Sequence, residues 1–481
     1  MTTDRTERKG LALILLAAAQ FVVVLDASIV NVALPSIGDD LKISPENLSW
    51  VINAYVLVFG GFLLLGGRMA DLLGRRRIFI SGLVLFGFAS LLGGFAESEG
   101  ALIAARALQG LGGALLSPAA LSILTTTFSE GAERNKALGV WGAVAGSGGA
   151  AGVLLGGVLT DSLGWEWVLF VNVPVTALAA FGAWRVLGES RSEGERRFDA
   201  AGALTITAGL VIFVYALVDT DDAGWGSGQT IGLFAIALIL IGAFVAIELR
   251  SAAPLVPFSI FSNRTLTGAN ITAVFVTMSL FSMFFFVTLY LQKVLGYSPL
   301  KAGLSYLPLA FGIIASAGIA SVLVTRIGFK PVLASGLALV AIALYWFSHV
   351  SAGGTYVGDV LFPSVIAAVG LGFAFVSLTI ASVSGVKSNE AGLASGLINT
   401  SQQVGGALGL AILAAVANAQ IGDAPRPTPE ALVEGFQSAF LVGSAFAVAG
   451  AVLTLALIRN RDSKAHRDAA QAGEAPLAIP V

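Results

Sequence analysis

Residues 67–77, GRMADLLGRRR, follow one apolar segment and precede another. Each of these segments is long enough to cross a hydrocarbon core of about 30 Å. Between them stand Asp71, Gly74 and a run of three arginines. Because glycine tolerates backbone conformations that other residues avoid, Gly74 suits a sharp reversal of the chain. The stretch predicts two neighbouring membrane helices joined by a tight, charged turn.

Apolar segments of this kind recur along the whole chain. Of its 481 residues, 56% are apolar and 12% are charged, whereas an ordinary soluble domain carries roughly 25% charge. The segments lack the roughly ten-residue alternating pattern of an outer-membrane β-barrel, so the predicted fold class is an all-α polytopic membrane protein. Fourteen transmembrane helices are predicted at 11–37, 48–66, 78–96, 101–127, 135–160, 165–187, 201–218, 231–249, 267–292, 301–325, 331–349, 359–381, 390–418 and 436–458.

Basic residues are distributed unevenly between the two sides of the predicted membrane. If the N-terminus is cytoplasmic, 22 of the 27 lysines and arginines fall on the cytoplasmic side. This is the asymmetry of the positive-inside rule. It predicts an even number of spans with both termini in the cytoplasm. The excess of arginine over lysine suggests a GC-rich bacterial source and hence a bacterial inner membrane.

Internal repeats predict how the helices are grouped. The Gly-Arg turn of 67–77 has a counterpart at 321–331, and glycine motifs in predicted helices 4 and 5 recur in helices 12 and 13, all at shifts of 254 to 260 positions. Transporters are commonly built from such related halves. We therefore predict a 6+2+6 arrangement. Its parts are an N-terminal six-helix bundle at 1–187, linkers and two inserted helices at 188–266, a C-terminal six-helix bundle at 267–458, and a cytoplasmic tail at 459–481.

The composition also excludes several classes of function. The chain contains no cysteine, which excludes thiol catalysis and cysteine-based metal sites. It has no Gly-rich phosphate loop followed by Lys and Ser or Thr, so no ATPase site is expected. The net charge of −2 indicates no nucleic-acid partner. We expect a protein that is not an enzyme, binds no metal or cofactor, and draws energy from a proton gradient.

Two charged residues lie inside predicted spans, Asp26 in the first and Arg106 in the fourth. A charge at that depth costs at least about 2.5–3.5 kcal/mol, so such residues usually face a cavity and serve a function. Asp26 could gain or lose a proton as its access to solvent and its distance from Arg106 change, which makes the pair a candidate for proton coupling. The alternative is a static structural ion pair.

A second group of charges is a candidate for conformational gating: Asp71, Gly74, Arg75, Arg76 and, in the next cytoplasmic loop, Arg134. Anchoring by the positive-inside rule would account for the arginines alone. It does not account for Asp71, which could form a breakable ion pair with Arg134. Alternatively, Asp71 could cap the start of a helix of the other bundle near Asn389.

Two further sets of residues suggest packing and substrate contact. The first is a glycine series in predicted helix 5 that would allow close approach of two helices, consisting of Gly148, Gly152, Gly156 and Gly157. The second contains amides and aromatic rings that could line a substrate cavity, although interhelical hydrogen bonds or lipid contact would account for them equally well: Asn31, Asn53, Gln109, Phe281, Phe285, Asn399, Gln402 and Gln403. The two histidines, His349 and His466, are expected to be solvated.

With these residues in view, the chain resembles the major facilitator superfamily, and within it the fourteen-span drug:proton antiporters, over about residues 10–460. The turn at 67–77 is similar to the superfamily's signature loop, LDASIVNVALP at 25–35 to the first-helix motif, and RALQG at 106–110 to the fourth-helix motif. Two positions depart from the family pattern. Leu72 replaces a basic residue, and Val153 replaces the proline of the antiporter motif, which should remove a helix bend.

The resemblance implies proton-coupled efflux of small hydrophobic or cationic compounds, such as drugs or antibiotics, by alternating access. The expected partners are the small-molecule substrate, protons and membrane lipids, with the protein acting as a monomer. An importer or facilitator of a nutrient is the main alternative, and a non-transporting membrane receptor is a second. The sequence decides neither the substrate, nor the direction of coupling, nor the effect of Leu72 and Val153.

Overall fold

The structure, a computed structural model of the chain, describes residues 2–43, 48, 50–129, 131–191, 199–251, 254–386, 390–421 and 428–472. Regular structure in these ranges is helical. The α-helices are α1 Thr2–Leu41, α2 Trp50–Leu73, α3 Arg75–Gly94, α4 Glu99–Thr127, α5 Ala132–Leu163, α6 Trp167–Phe170, α7 Asn172–Val186, α8 Ala200–Ala223, α9 Gly228–Glu248, α10 Arg264–Leu289, α11 Pro299–Ser305, α12 Leu307–Ile327, α13 Phe329–Phe347, α14 Phe362–Val383, α15 Ala391–Ile421, α16 Pro429–Leu457 and α17 Asn460–Ala472.

Shorter helices of other types join some of these elements. A 3₁₀ helix at Phe258–Ser262 precedes α10, and a π-helix at Tyr290–Val294 extends it. A second π-helix, Tyr356–Leu361, leads directly into α14. Several predicted spans are therefore composed of two consecutive helices rather than one.

The predicted fourteen spans correspond to fourteen helical regions, but fewer of them qualify as membrane spans. Within the described residues, twelve helices are long and apolar enough to cross a membrane, or thirteen if the bent helix α5 is counted as one span. The remaining helix, α8, contains an apolar part at Ala201–Leu217. The expectation of fourteen spans is therefore not confirmed within the described residues.

Helix α5 bends where its glycines are concentrated. Its two parts, Ala132–Gly149 and Ala151–Leu163, meet at an angle of 44°. Proline is absent from this helix, and the expectation that Val153 would remove the bend is therefore wrong. Sharp kinks also arise at pairs of Gly and Ser residues. The segment SGGAAG at 147–152 contains such residues.

Contacts divide the chain into two compact units. Unit 1 comprises residues 1–129, 155–266 and 385–400, and unit 2 comprises residues 130–154, 267–384 and 401–481. Helix α5 begins in unit 2 and ends in unit 1, whereas α15 begins in unit 1 and ends in unit 2. Helix α10 also begins in unit 1, at residues 264–266, so three of the described helices contain residues of both units.

Within unit 1, small residues bring helix backbones together. A Cβ atom on Gly66 would overlap the carbonyl group of Ala114, so α2 and α4 touch backbone to backbone. A Cβ atom on Gly82 would lie 2.8 Å from the amide nitrogen of Leu116, which shows the same for α3 and α4. Close packing of this kind holds membrane helices together where water provides no hydrophobic driving force between them. Helix α4 is consequently the most enclosed span of unit 1, and its polar residues are held among the neighbouring helices.

In unit 2, the polar helix α17 docks on the turn between α12 and α13. The hydroxyl oxygen of Ser463 accepts a hydrogen bond from the backbone N–H of Lys330 over 3.1 Å. The Nε2 atom of His466 lies 3.0 Å from Oδ1 of Asn135, and its ring packs against Phe329. His466 is only 9% exposed, so the expectation of a solvated histidine is wrong. Burial, with a smaller contribution from the charge of Arg134, lowers the pKa of His466 to about 4.

Candidate functional site

The centre of unit 1 contains a buried ion pair between α1 and α4. Arg106 donates from Nη1 to Oδ2 of Asp26 over 2.6 Å, and the two side chains are 1% and 0% exposed. The two residues are 80 positions apart in the chain. The structure therefore brings together the two charges that the sequence placed inside separate spans.

Arg106 is held in place by α2. Its Nε atom donates to the backbone carbonyl oxygen of Val51 over 3.0 Å, and its guanidinium group lies over the ring of Tyr55 at 4.5 Å from the ring centre. A guanidinium group over an aromatic face is attracted by the ring quadrupole. Among the described residues, no acceptor pairs with its Nη2 atom. These contacts fix the plane of the guanidinium group, so Nη1 points at Asp26.

Two amides and a hydroxyl complete the surroundings of Asp26. Its Oδ1 atom accepts from Nε2 of Gln109 over 2.7 Å and from Nδ2 of Asn172 over 2.8 Å. The same two nitrogen atoms each donate to Oγ of Ser90 over 3.0 Å. Ser90 in turn donates to the carbonyl oxygen of Leu169, at the break between α6 and α7. Residues from α1, α3, α4 and α7 thus form one closed network, which we call the Asp26 network.

The Asp26 network is arranged to hold a negative charge. Arginine and the amide groups turn only donors towards the carboxylate, and charge-assisted hydrogen bonds of this kind are roughly twice as strong as neutral ones. The side-chain amide of Gln109 cannot exchange its oxygen and nitrogen positions, because its Oε1 atom accepts from Nη1 of Arg106 over 2.6 Å. Gln109 therefore belongs to the carboxylate site, although the sequence suggested the substrate cavity. Ser90 was not predicted as a site residue, and no sequence motif marks it.

A second buried aspartate, Asp71, lies at the end of α2. It is 0% exposed and accepts from Nη2 of Arg75 over 2.9 Å. It also accepts from the backbone N–H groups of Gly392 and Leu393, over 3.1 and 3.0 Å, at the start of α15. The first turn of a helix has N–H groups without intrahelical partners and a partial positive charge, so it favours a carboxylate. We call these residues the Asp71 contact.

The Asp71 contact requires glycine on both helices. A Cβ atom on Gly67 would overlap the carbonyl oxygen of Gly392, and one on Gly392 would lie 2.7 Å from the carboxylate of Asp71. Of the two alternatives for Asp71, the structure places it at a helix start. Asn389 itself lies outside the described residues, and the partners of Asp71 are the residues three and four positions further on.

The remaining residues of the predicted gating group have partners other than Asp71. Gly74 adopts a φ angle of 115°, which favours glycine, and ends α2. Arg76 donates to the carbonyl oxygen of Leu187 and, through its backbone N–H, to Glu189. Glu189 also lies 3.6 Å from Arg77 and was not predicted. Arg134 lies in unit 2, where its charge acts on His466.

The predicted packing glycines lie on one helix, whereas the substrate-cavity candidates are distributed over several helices. Gly148, Gly152, Gly156 and Gly157 are buried in α5, and a Cβ atom on Gly156 would lie 2.8 Å from the carbonyl oxygen of Ile29 in α1. Asn31 is exposed and donates to its own helix, Asn53, Gln402 and Gln403 are half-buried, and Phe285 is exposed. The side chain of Phe281 lies outside the described residues.

One cavity candidate, Asn399, belongs to a second small polar group in unit 1. Its Oδ1 atom accepts from Ser117 over 3.3 Å, and Ser117 also donates to Gln20 over 2.9 Å. Gln20 precedes Asp26 by six residues on α1, which corresponds to about 9 Å along a helix. Polar side chains thus continue along α1 and α4 beyond the Asp26 network. Across the described residues, no group of three His, Cys, Asp or Glu side chains is placed to bind a metal ion.

A helical membrane protein with buried charges between its spans falls in the class of multi-pass transport proteins. Comparison with known proteins identifies the family. The sequence profile of the Major Facilitator Superfamily matches residues 16–410, and the chain belongs to this superfamily.

Several similar proteins are named as export proteins, resistance proteins or multidrug transporters. The chain is 41% identical to the cephamycin export protein CmcT of Amycolatopsis lactamdurans, over 94% of this chain and 93% of that one. It is also 41% identical to the puromycin resistance protein pur8 of Streptomyces alboniger, over 94% and 90% of the two chains. The multidrug transporter protein MdtP of Bacillus subtilis is 33% identical over 85% of this chain and 75% of that one.

A solved structure shows the same fold. The human organic anion transporter MFSD10 matches with a TM-score of 0.66, covering 93% of this chain and 99% of that one. The sequence identity is 14%, so the likeness concerns the fold alone. Together these findings establish an all-helical transporter of the Major Facilitator Superfamily, a family of transporters and not of enzymes.

Proposed function

We propose that this protein exports small hydrophobic or cationic molecules, antibiotics among them, in exchange for protons. The observation that carries the proposal is the fully buried carboxylate of Asp26, held by Arg106 and by uncharged amides inside unit 1. The names of the relatives, which include cephamycin export and puromycin resistance, support export rather than import. Proton uptake by Asp26 would weaken its pairing with Arg106 and so link the proton to the arrangement of α1 and α4.

The mechanism we propose is alternating access. In it, bundles at 1–187 and 267–458 move around a central substrate site, and the segment 188–266 adds two helices, giving fourteen spans. The Asp71 contact would form in one state and open in the other, because a carboxylate at a helix start can separate without breaking either helix. Arg75 and Arg76 would keep the end of α2 in register during this change.

The proposed location and topology of the protein follow from the distribution of its basic residues. Both termini lie in the cytoplasm of a bacterial cell, and the protein crosses the inner membrane as a monomer. It needs no cofactor, since the proton gradient supplies the energy. Asn399, Gln20 and Ser117 would line the route between the substrate site and the Asp26 network. Asn31, Asn53, Phe285, Gln402 and Gln403 remain candidates for contact with the substrate.

The decisive experiment neutralises Asp26. In proteoliposomes with an imposed pH gradient, Asp26→Asn should reduce proton-driven transport of puromycin and ethidium to background, because an amide cannot exchange a proton. Glu97→Gln is the matched control, since Glu97 is an exposed carboxyl group outside the spans, and it should transport normally. Undiminished proton-driven transport by folded Asp26→Asn protein would reject the proposal.

The same preparation distinguishes an exporter from a facilitator. With a pH gradient that is acidic on the periplasmic side, an exporter accumulates substrate against its concentration gradient on that side. A facilitator only equalises the concentrations. Equilibration without accumulation by the wild-type protein would favour the facilitator.

A further inference from the structure

The closed geometry of the Asp26 network raises the question of where a proton on Asp26 would find an acceptor. When the carboxylate is charged, every hydrogen around Oδ1 is in use. Gln109 and Asn172 each give one N–H to Asp26 and one to Ser90, and Ser90 gives its O–H to Leu169. A protonated carboxyl group adds one more donor to a site that consists of donors. A buried donor without an acceptor destabilises the folded protein.

Three acceptors lie close enough to be considered, and two of them are occupied. The hydroxyl oxygen of Ser90 accepts from both amides and so has no lone pair left. The Oε1 atom of Gln109 accepts from Nη1 of Arg106, and turning it away would take the acceptor from one N–H group of the arginine. Neither of these oxygens can take the new proton without loss elsewhere.

The third acceptor is Oδ1 of Asn172. This atom is buried, and among the described residues it has no hydrogen-bond donor. Asn172 is fully buried and is the first residue of α7, following a break in the helix. Its Nδ2 atom donates to Ser90 as well as to Asp26, so a half-turn gives up a neutral hydrogen bond, whereas turning Gln109 would take an acceptor from the charged Arg106. A half-turn of the amide exchanges the donor Nδ2 for the acceptor Oδ1.

The geometry points to Asn172 as a positioning residue that hydrogen-bonds Asp26 in both of its protonation states. Its Nδ2 atom donates to the carboxylate, and after a half-turn its Oδ1 atom accepts the proton of the carboxylic acid. The proton enters from solvent and leaves to solvent, and Asn172 only accepts a hydrogen bond from it. This inference rests on the proposed function, because it requires that Asp26 exchange a proton.

The test is an infrared titration of the purified, full-length protein in lipid. Acid-minus-neutral difference spectra should show the carbonyl band of a protonated carboxyl group, and this band should be missing in Asp26→Asn. In Asn172→Leu, the band should move to higher frequency, because the carboxylic acid loses its acceptor. Thr176→Val is the matched control, since Thr176 lies one turn further along α7, is buried, and bonds only to its own helix. It should leave the band in place.

A second measurement requires no substitution of Asn172. In wild-type protein labelled with ¹³C-asparagine, the titration should contain an asparagine carbonyl band that moves to lower frequency as Asp26 takes up its proton. The same band shift should be absent in Asp26→Asn.

The outcomes separate the two claims. If wild-type protein shows no carboxyl band that depends on Asp26, both the proposed function and this inference fail. If the band is present but neither moves in Asn172→Leu nor is accompanied by an asparagine signal, the inference about Asn172 alone is overturned.

Discussion

Two buried aspartates in unit 1 face arginine, yet they are held in different ways. Asp26 is held by side chains of two other helices, Arg106 and Gln109 of α4 and Asn172 of α7. Asp71 is held by Arg75, four residues later in sequence, and by two backbone N–H groups of α15. Side-chain partners can rotate while their helices stay in place. Backbone partners move only when the whole helix moves.

This difference assigns distinct tasks to the two carboxylates. The partners of Asp26 can be rearranged locally, which suits a group that exchanges a proton. The partners of Asp71 report the position of α15 relative to α2, which suits a contact that exists in one conformation only. The following predictions test this contrast, beginning with the largest expected effect.

Asp71→Ala should have the largest effect on the balance between conformations. It removes the carboxylate from the buried pair with Arg75, and removing one member of a buried ion pair costs about 3–5 kcal/mol. Crosslinking between one cysteine introduced at the end of α2 and another at the start of α15 should therefore fall steeply, with loss of transport. The double variant Asp71→Leu with Arg75→Leu removes both charges and should regain part of the stability but not the transport. Equal crosslinking in Asp71→Ala and wild type would show that Asp71 does not hold the end of α2 against the start of α15.

Arg106→Lys should have a smaller effect that is confined to the other carboxylate. Lysine keeps the charge but cannot donate at once to Asp26, Gln109 and Val51, so we expect a loss of about 2–3 kcal/mol, seen as a large fall in transport rate. The pH profile of transport should change, while crosslinking at the Asp71 contact should not. An unchanged pH profile would show that Arg106 does not govern proton exchange at Asp26.

The contribution of His466 to the pH dependence of stability must be measured before any such dependence is assigned to Asp26 or Asp71. Its pKa of about 4 lies below the usual value of 6.5, so its contribution to stability is complete above pH 6.5 and is lost as the pH falls towards 4. Between pH 7 and pH 5 this amounts to about 2 kcal/mol. Thermal unfolding of His466→Gln should therefore depend less on pH in this window than that of wild type. A Lys464→Gln control on the same helix should retain the wild-type dependence.

The sequence predicted the helical class, the turn at 67–77 and the residues of the central ion pair. It succeeded because charges inside apolar segments are few, and Asp26 and Arg106 had to find partners. It did not predict Ser90, because the sequence does not show which neighbour a serine in a membrane helix faces. The bend in α5 was missed for a related reason. A proline is visible in a sequence, whereas glycines permit a bend without requiring one.

His466 shows the same limit outside the membrane. A polar segment after the last span is ordinarily a solvated tail, and nothing in residues 459–472 reveals that α17 has a surface to dock on. Only the fold supplies that surface, formed by Asn135 and Phe329. Long-range partners of this kind cannot be derived from local sequence pattern.

The separation of Asp26 and Arg106 by 80 residues has a consequence for synthesis of the protein. At about 5–20 residues per second, α1 leaves the ribosome several seconds before α4 does. During that interval its carboxyl group has no arginine to pair with, and a charge at this depth costs roughly 2.5–3.5 kcal/mol. The first span is therefore poorly suited to entering lipid alone. Its release from the insertion machinery should wait until the fourth span has been made.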